Sequence, residues 1–201
     1  MNYPPKEWGP YMWNLLHILS IHPKSSTADY KEFFNSISLI LPCHKCKQNY
    51  STHLKALPMP NDKTKFLEWL IKVHNRINIS TNKSEQSVDE MISFWKEKYK
   101  SVNSIHDIQL IELIEYLIHS HPGFYKVTPD YIHAHQVFWK IIQENLNTSD
   151  IHLLKNVPLS TETISHKQLY LNWLLKIKNI YSVTIPFRGK QCTSYCMSLL
   201  N

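Results

Sequence analysis

Glycine is scarce in this chain of 201 residues: only Gly9, Gly123 and Gly189 occur. Three glycines so far apart build neither a GxGxxG turn nor a Walker-type loop, so a nucleotide has to be held some other way. Arginine is scarcer still. Of the 22 basic residues only Arg76 and Arg188 are arginines, and the formal charge of +6 rests on lysine. Arginine supplies the bidentate fork that reads bases and phosphates, so a sequence-specific reader of nucleic acid is disfavoured and no nucleic-acid partner is expected. Long apolar runs are missing as well. SISLILP and LIELIEYLI are too short for the roughly 20 residues of a membrane helix, and no membrane partner is expected. The first ten residues, MNYPPKEWGP, lack the charged-then-apolar layout of a secretory signal. A cytoplasmic, reducing setting follows as the expectation. Four cysteines in such a setting suggest reactive or metal-binding thiols rather than a disulfide framework.

What is present is a helical pattern. The composition is 43% hydrophobic, enough for a real core. WGPYMWNLLHILS predicts a helix over 8–20 opened by Gly9 and Pro10, proline being well suited to a first turn. Gly9, Trp13 and His17 then share one face, a stripe able to receive a planar ring. Further helices are expected over 29–41, from 43 onward, over 64–79 and over 87–99, then over 108–119, 131–146 and 167–181. No run alternates with period two for long enough to predict a sheet. The expected fold class is all-α, with a division near residue 100 into 1–100 and 101–201. His133 and His135, two apart on a helix, point in different directions, and no metal site is expected there.

The stretch ILPCHKC carries the sharpest signal. Proline before Cys43 and three residues on to Cys46 place the pair on the first turn of a helix, with Cα atoms roughly 5 Å apart, inside the disulfide range. The unpaired amides and positive end of that helix favour a thiolate at an exposed Cys43, and Lys45 and Lys47 push the same way. Three other readings stay open. The two cysteines could be structural. They could join Cys192 and Cys196 in a four-thiolate zinc cage, giving a zinc-stabilised helical interaction protein. A thioredoxin-like site has the right spacing, but its βαβ pattern is absent.

Residues 8 to about 96 resemble the Erv/ALR family of FAD-linked sulfhydryl oxidases. The resemblance rests on WGPYMWNLLH at 8–17, PCHKC at 42–46 and HNRIN at 74–78, in the family's order and spacing. It implies a four-helix bundle plus a short fifth helix around FAD, usually as a homodimer. It implies that Trp13 and His17 line the flavin, with Gly9 and Pro10 at the close approach of the first helix. It places His74, Asn75, Ile77 and Asn78 against the adenine and ribose, Lys83 near the pyrophosphate and Trp95 near the adenine. Pro10 departs from the arginine that many cellular members carry.

The activity so implied is thiol oxidation, 2 R–SH + O2 to a disulfide and hydrogen peroxide, on thiol-containing protein substrates with molecular oxygen as acceptor. Cys43 is the expected interchange thiol and Cys46 the flavin-proximal one. Cys192 and Cys196, whose Cα atoms would lie about 6 Å apart on a helix, match the second pair that family members often carry on a tail that shuttles electrons. A structural disulfide or two reduced thiols fits them equally. Residues 101–201 hold no second CxxC and no second WGxxxWxxLH, so they are expected to be a recruitment or dimerisation module or a helical cap. An Ile-, Asn-, Lys- and Ser-rich chain with this layout looks like the sulfhydryl oxidases of large DNA viruses, which act in the host cytoplasm or the virion.

Overall fold

The computed structural model of the protein describes residues 3–100, 107–146 and 157–184. Among these residues there are nine α-helices, two 310 turns and no strand. The helices are α1 Pro5–Ile21, α2 Thr27–Ile40, α3 His44–Ala56, α4 Phe66–Ser80, α5 Val88–Lys100, α6 Asp107–His119, α7 Pro129–Asn145, α8 Thr161–Ser165 and α9 Lys167–Thr184. The all-α reading therefore holds, and the short α8 was not anticipated.

Local chemistry sets the boundaries. Pro4 is the extended N-cap of α1 and Pro5 takes the first helical position, where no N–H is needed. The helix thus begins a turn before the Gly9–Pro10 start expected from sequence, and Pro10 falls inside it. α2 opens with a capping box: Ser26 Oγ accepts from the Asp29 N–H at 3.1 Å and the Asp29 carboxylate accepts from the Ser26 N–H at 3.2 Å. Thr128 caps α7 by accepting from the Tyr131 N–H at 3.2 Å, with Pro129 next. At the end of α4, Asn82 takes the left-handed conformation (φ 59°) and lets the Lys83 N–H donate back to the Asn78 carbonyl at 2.8 Å. That turn brings Lys83 close enough for its charge to act on His74.

One contiguous core joins the two halves of the chain. It takes Trp8, Met12, Leu16 and Leu19 from α1, Phe33, Phe34 and Ile37 from α2, and Leu113, Leu117, Phe138, Ile141 and Leu174 from α6, α7 and α9. α2 packs most extensively on α7, and α1 lies between α4 and α6. The rings of Phe33 and Phe138 meet across this seam, their centroids 6.1 Å apart. A smaller cluster of Leu67, Ile71 and Trp95 fixes α5 against α4.

A buried polar hub fastens the seam. Asn145 Oδ1 accepts from the backbone N–H groups of Lys24 and Ser25 at 2.7 and 3.1 Å and from the Tyr30 hydroxyl at 2.8 Å. Its amide donates to Ser25 Oγ at 2.7 Å and to the Ile141 carbonyl at 2.8 Å. One side chain at the end of α7 thereby satisfies the turn between α1 and α2, whose amides would otherwise be unpaired in the interior.

Candidate redox site

Cys43 is the N-cap of α3, and it is joined by a disulfide to Cys46 with a Cα–Cα distance of 5.1 Å. The Cys46 N–H donates to Cys43 Sγ at 3.2 Å, so a first-turn amide is aimed at the sulfur that a thiolate would occupy after reduction. The exposure expected of Cys43 is not found. Cys43 is only 6% exposed, because it packs into the main core, and next to it the Tyr3 N–H donates to the Pro42 carbonyl at 3.3 Å. Lys47 directs its ammonium to the Leu39 carbonyl at 2.5 Å, capping the end of α2.

Cys46 is half-buried and stands in the wall of an apolar pocket between α1, α2, α3 and α4. Trp13, Leu16, Ile37, Tyr50 and Ile77 share that wall. Tyr50 lies one turn beyond Cys46 on α3; it is 3% exposed, and its hydroxyl has no hydrogen-bond partner.

Beside the pocket, aromatic side chains from three helices form parallel layers. Trp13 of α1 stacks on His74 of α4, centroids 3.8 Å apart and planes within 9°. His17 of α1 stacks on Trp95 of α5 at 4.4 Å and 9°, and Trp95 lies parallel to Tyr99 at 5.6 Å. The Lys98 ammonium sits 4.7 Å from the Trp95 ring. His17 Nδ1 lies 2.6 Å from the Trp13 carbonyl, which can only accept, so Nδ1 carries the proton and Nε2 is a lone-pair acceptor. That Nε2 and the Trp95 indole N–H are both buried without a partner. Burial, then the nearby His74, pulls the His17 pKa down to about 3; burial, then Lys83, pulls that of His74 down to about 4. Both imidazoles are neutral at pH 7. A flat aromatic ligand with donors and acceptors on its edge fits this set of rings and unpaired polar atoms.

The fold gathers most of the residues singled out in the sequence. Trp13, His17, His74 and Trp95 form the layers, while Cys46 and Ile77 line the pocket. Asn78 is buried on the same helix, at 8% exposure. Gly9 is buried, and a Cβ built there meets no protein atom within 4 Å; Pro10 and Lys83 are exposed. Asn75 is engaged within the protein. Its amide donates to the Gln86 carbonyl at 2.7 Å and its oxygen accepts from the Gln86 N–H at 3.1 Å, so it clamps the loop that carries Lys83. Tyr50, Lys98 and Tyr99 were missed, although Tyr50 is four residues from Cys46 and Tyr99 four from Trp95, the spacing that puts side chains on one face. Cys192 and Cys196 lie outside the described residues. Among the described residues no group of three or more His, Cys, Asp or Glu is placed to hold a metal.

A CxxC disulfide on a helix tip, with Cys46 in the wall of an apolar pocket beside stacked rings, defines a helical protein with a redox-capable cysteine pair. Comparison with known proteins is specific about which. Residues 10–100 match the model of the Erv1 / Alr family. A protein of Acanthamoeba polyphaga mimivirus named "Probable FAD-linked sulfhydryl oxidase" is 33% identical over 97 residues, 44% of this chain and 68% of that one. FAD-linked sulfhydryl oxidases of Oryza sativa subsp. japonica and Arabidopsis thaliana are 31% and 30% identical over 84 residues. Those two alignments take in 39% of this chain and under half of each plant protein. No solved structure matches. The chain belongs to the Erv1 / Alr family.

Proposed function

We infer that the protein is an FAD-dependent sulfhydryl oxidase that introduces disulfides into thiol-containing proteins. The observation that carries the reading is the Cys43–Cys46 disulfide with Cys46 in the wall of the apolar, aromatic-flanked pocket. Bound FAD supplies the two-electron chemistry that links the dithiol to molecular oxygen, which leaves as hydrogen peroxide. The flavin ring system suits the pocket walled by Trp13, Cys46 and Ile77. The adenosine portion suits His17, His74, Asn78 and Trp95, with Lys83 toward the pyrophosphate and Gly9 and Pro10 at the approach of α1.

The chain's own part is thiol–disulfide exchange. A substrate thiolate attacks Cys43 Sγ, the Cys43–Cys46 bond breaks, and Cys46 departs as a thiolate inside the pocket. A second substrate thiolate attacks the substrate sulfur of the mixed disulfide, forming the substrate disulfide and releasing Cys43. The helix-tip amide at Cys43 stabilises the charge on that leaving sulfur. Because Cys43 is only 6% exposed, attack requires a local opening around its sulfur.

Residues 1–100 form the oxidase unit in this reading, and residues 101–201 a helical appendage that also completes its core. The family resemblance extends the reading to a homodimer, whose surface would lie away from the α2 face covered by α7. A viral setting in host cytoplasm or virion accords with the mimivirus relative. Among the described residues no helix is long and apolar enough to cross a membrane. The family resemblance extends the reading to Cys192 and Cys196 as an electron-shuttling pair, a structural disulfide or two reduced thiols being the alternatives. The zinc alternative is disfavoured because a disulfide leaves Cys43 and Cys46 no thiolate to offer a metal.

The deciding experiment is the visible spectrum of the purified protein before and after adding a dithiol in air. A flavin band that bleaches and then recovers as oxygen is consumed is the expected result. A colourless protein carrying stoichiometric zinc would sink the reading.

A further inference from the structure

The pocket that holds Cys46 is apolar, yet polar side chains reach its wall, and those of Asn49, Thr81 and Trp8 are spent on protein partners. The Asn49 amide donates to Ser80 Oγ at 3.0 Å, Thr81 Oγ1 donates to the Ile77 carbonyl at 2.9 Å, and the Trp8 indole donates to the Tyr3 carbonyl at 3.1 Å. The Tyr50 hydroxyl is the exception: it is fully buried and unpartnered. An unmet hydroxyl in an apolar interior is destabilising, and phenylalanine would fill the same volume without that cost. Tyr50 also occupies the turn of α3 directly after Cys46, so its ring and the sulfur share one helix face.

We propose that the Tyr50 hydroxyl donates a hydrogen bond to the polar edge of the FAD ring system and so fixes the register of that ring against Cys46. Tyr50 is then a positioning residue, acting through where the ring lies and not by exchanging electrons or protons itself. The assignment rests on the flavin reading above. It explains why the wall carries a tyrosine that the protein alone leaves unsatisfied. Burial pushes the phenol well above its ordinary pKa, so it stays a donor throughout the neutral range.

The test is Tyr50→Phe, read in both the FAD-free and FAD-loaded protein. FAD-free Tyr50→Phe is expected to melt at or above the wild-type temperature, since it loses only an unpaired hydroxyl. FAD affinity is expected to fall roughly tenfold, as for one lost buried hydrogen bond, and the visible band of the bound flavin is expected to shift. Equal affinity together with an unshifted band would overturn the proposal. So would a lower melting temperature of the FAD-free variant with FAD affinity unchanged, which would make Tyr50 a structural residue. Wild-type protein that takes up no FAD at all would remove the flavin reading itself, an outcome distinct from equal binding by the two proteins.

Discussion

The indole of Trp13 lies flat on the imidazole of His74, 3.8 Å between centroids, and the ring of His17 stands 5.6 Å from that of His74. Two imidazoles this close and this buried resist protonation. Their folded-state pKa values, about 3 for His17 and about 4 for His74, lie below the ordinary 6.5. His135, buried in the C-terminal half, is likewise drawn down to about 3, chiefly by burial. The unfolded chain therefore binds more protons than the folded one between pH 6.5 and these values. The stability from keeping the rings neutral is complete above pH 6.5 and is lost on acidification, at up to about 1.4 kcal/mol per pH unit for each group. Thermal melts are expected to fall steeply from pH 6.5 to 4, and His17→Phe should flatten that slope. A melting temperature unchanged across that range would contradict the argument.

Cys43 and Cys46 share one turn but not one environment, so their serine variants should fail differently. Cys46→Ser is expected to keep FAD while losing turnover to background, at least 100-fold by the order of effects seen when an essential group is removed. Cys43→Ser should lose turnover equally yet retain a thiol able to contact the flavin, visible as a long-wavelength absorbance that Cys46→Ser lacks. Oxygen-electrode rates and spectra of the two variants check this, and normal turnover in Cys46→Ser would refute the assignment.

Gly9 is a glycine that the protein's own packing does not require. Its φ is not positive, and a Cβ there meets no protein atom. In a helix interior alanine is better than glycine by about 1 kcal/mol. Gly9→Ala is therefore expected to raise the melting temperature of FAD-free protein by a few degrees while lowering the fraction of FAD retained through purification. Full retention would show that α1 does not closely approach the cofactor at this residue.

The parts that could be read from sequence are those fixed by short-range chemistry. Proline followed by CxxC specifies a helix tip, and the expected spacing of roughly 5 Å matches the 5.1 Å found. Trp13 and His17 share a face because four residues make one turn. Even locally, competing signals misled: Pro5 and Pro10 are both admissible near a helix start, and only the extended Pro4 settles which one begins α1. Burial of Cys43 in the core and the covering of α2 by α7 leave no trace in any window of the chain. They depend on which amphipathic faces meet, and periodicity says that a face is apolar without saying what covers it. The Tyr3–Pro42 and Tyr30–Asn145 bonds are products of that docking.

Asn145 tests how far the two halves depend on one another. Replacing it with leucine removes the acceptor for the Lys24 and Ser25 backbone amides, leaving the Ser25 donor buried and unpaired, while the Tyr30 hydroxyl keeps the Leu19 carbonyl as acceptor. A loss of about 3 kcal/mol or more is expected, read as a lower urea midpoint of the whole chain in a single transition. A chain ending at residue 100 should be worse still, since it bares Phe33 on α2. If that fragment melts cooperatively and binds FAD, the oxidase half is self-sufficient.

The hub also sets a clock on synthesis. Tyr30 and its partner Asn145 are 115 residues apart, and a ribosome adding about 5 to 20 residues per second needs roughly 6 to 23 s to cover that distance. For most of that interval α2 has emerged without the helix that covers it, while the thiols of Cys43 and Cys46 are outside the exit tunnel and open to exchange with stray disulfides. The apolar face of α2 that meets α7 stays uncovered by its native partner until α7 arrives.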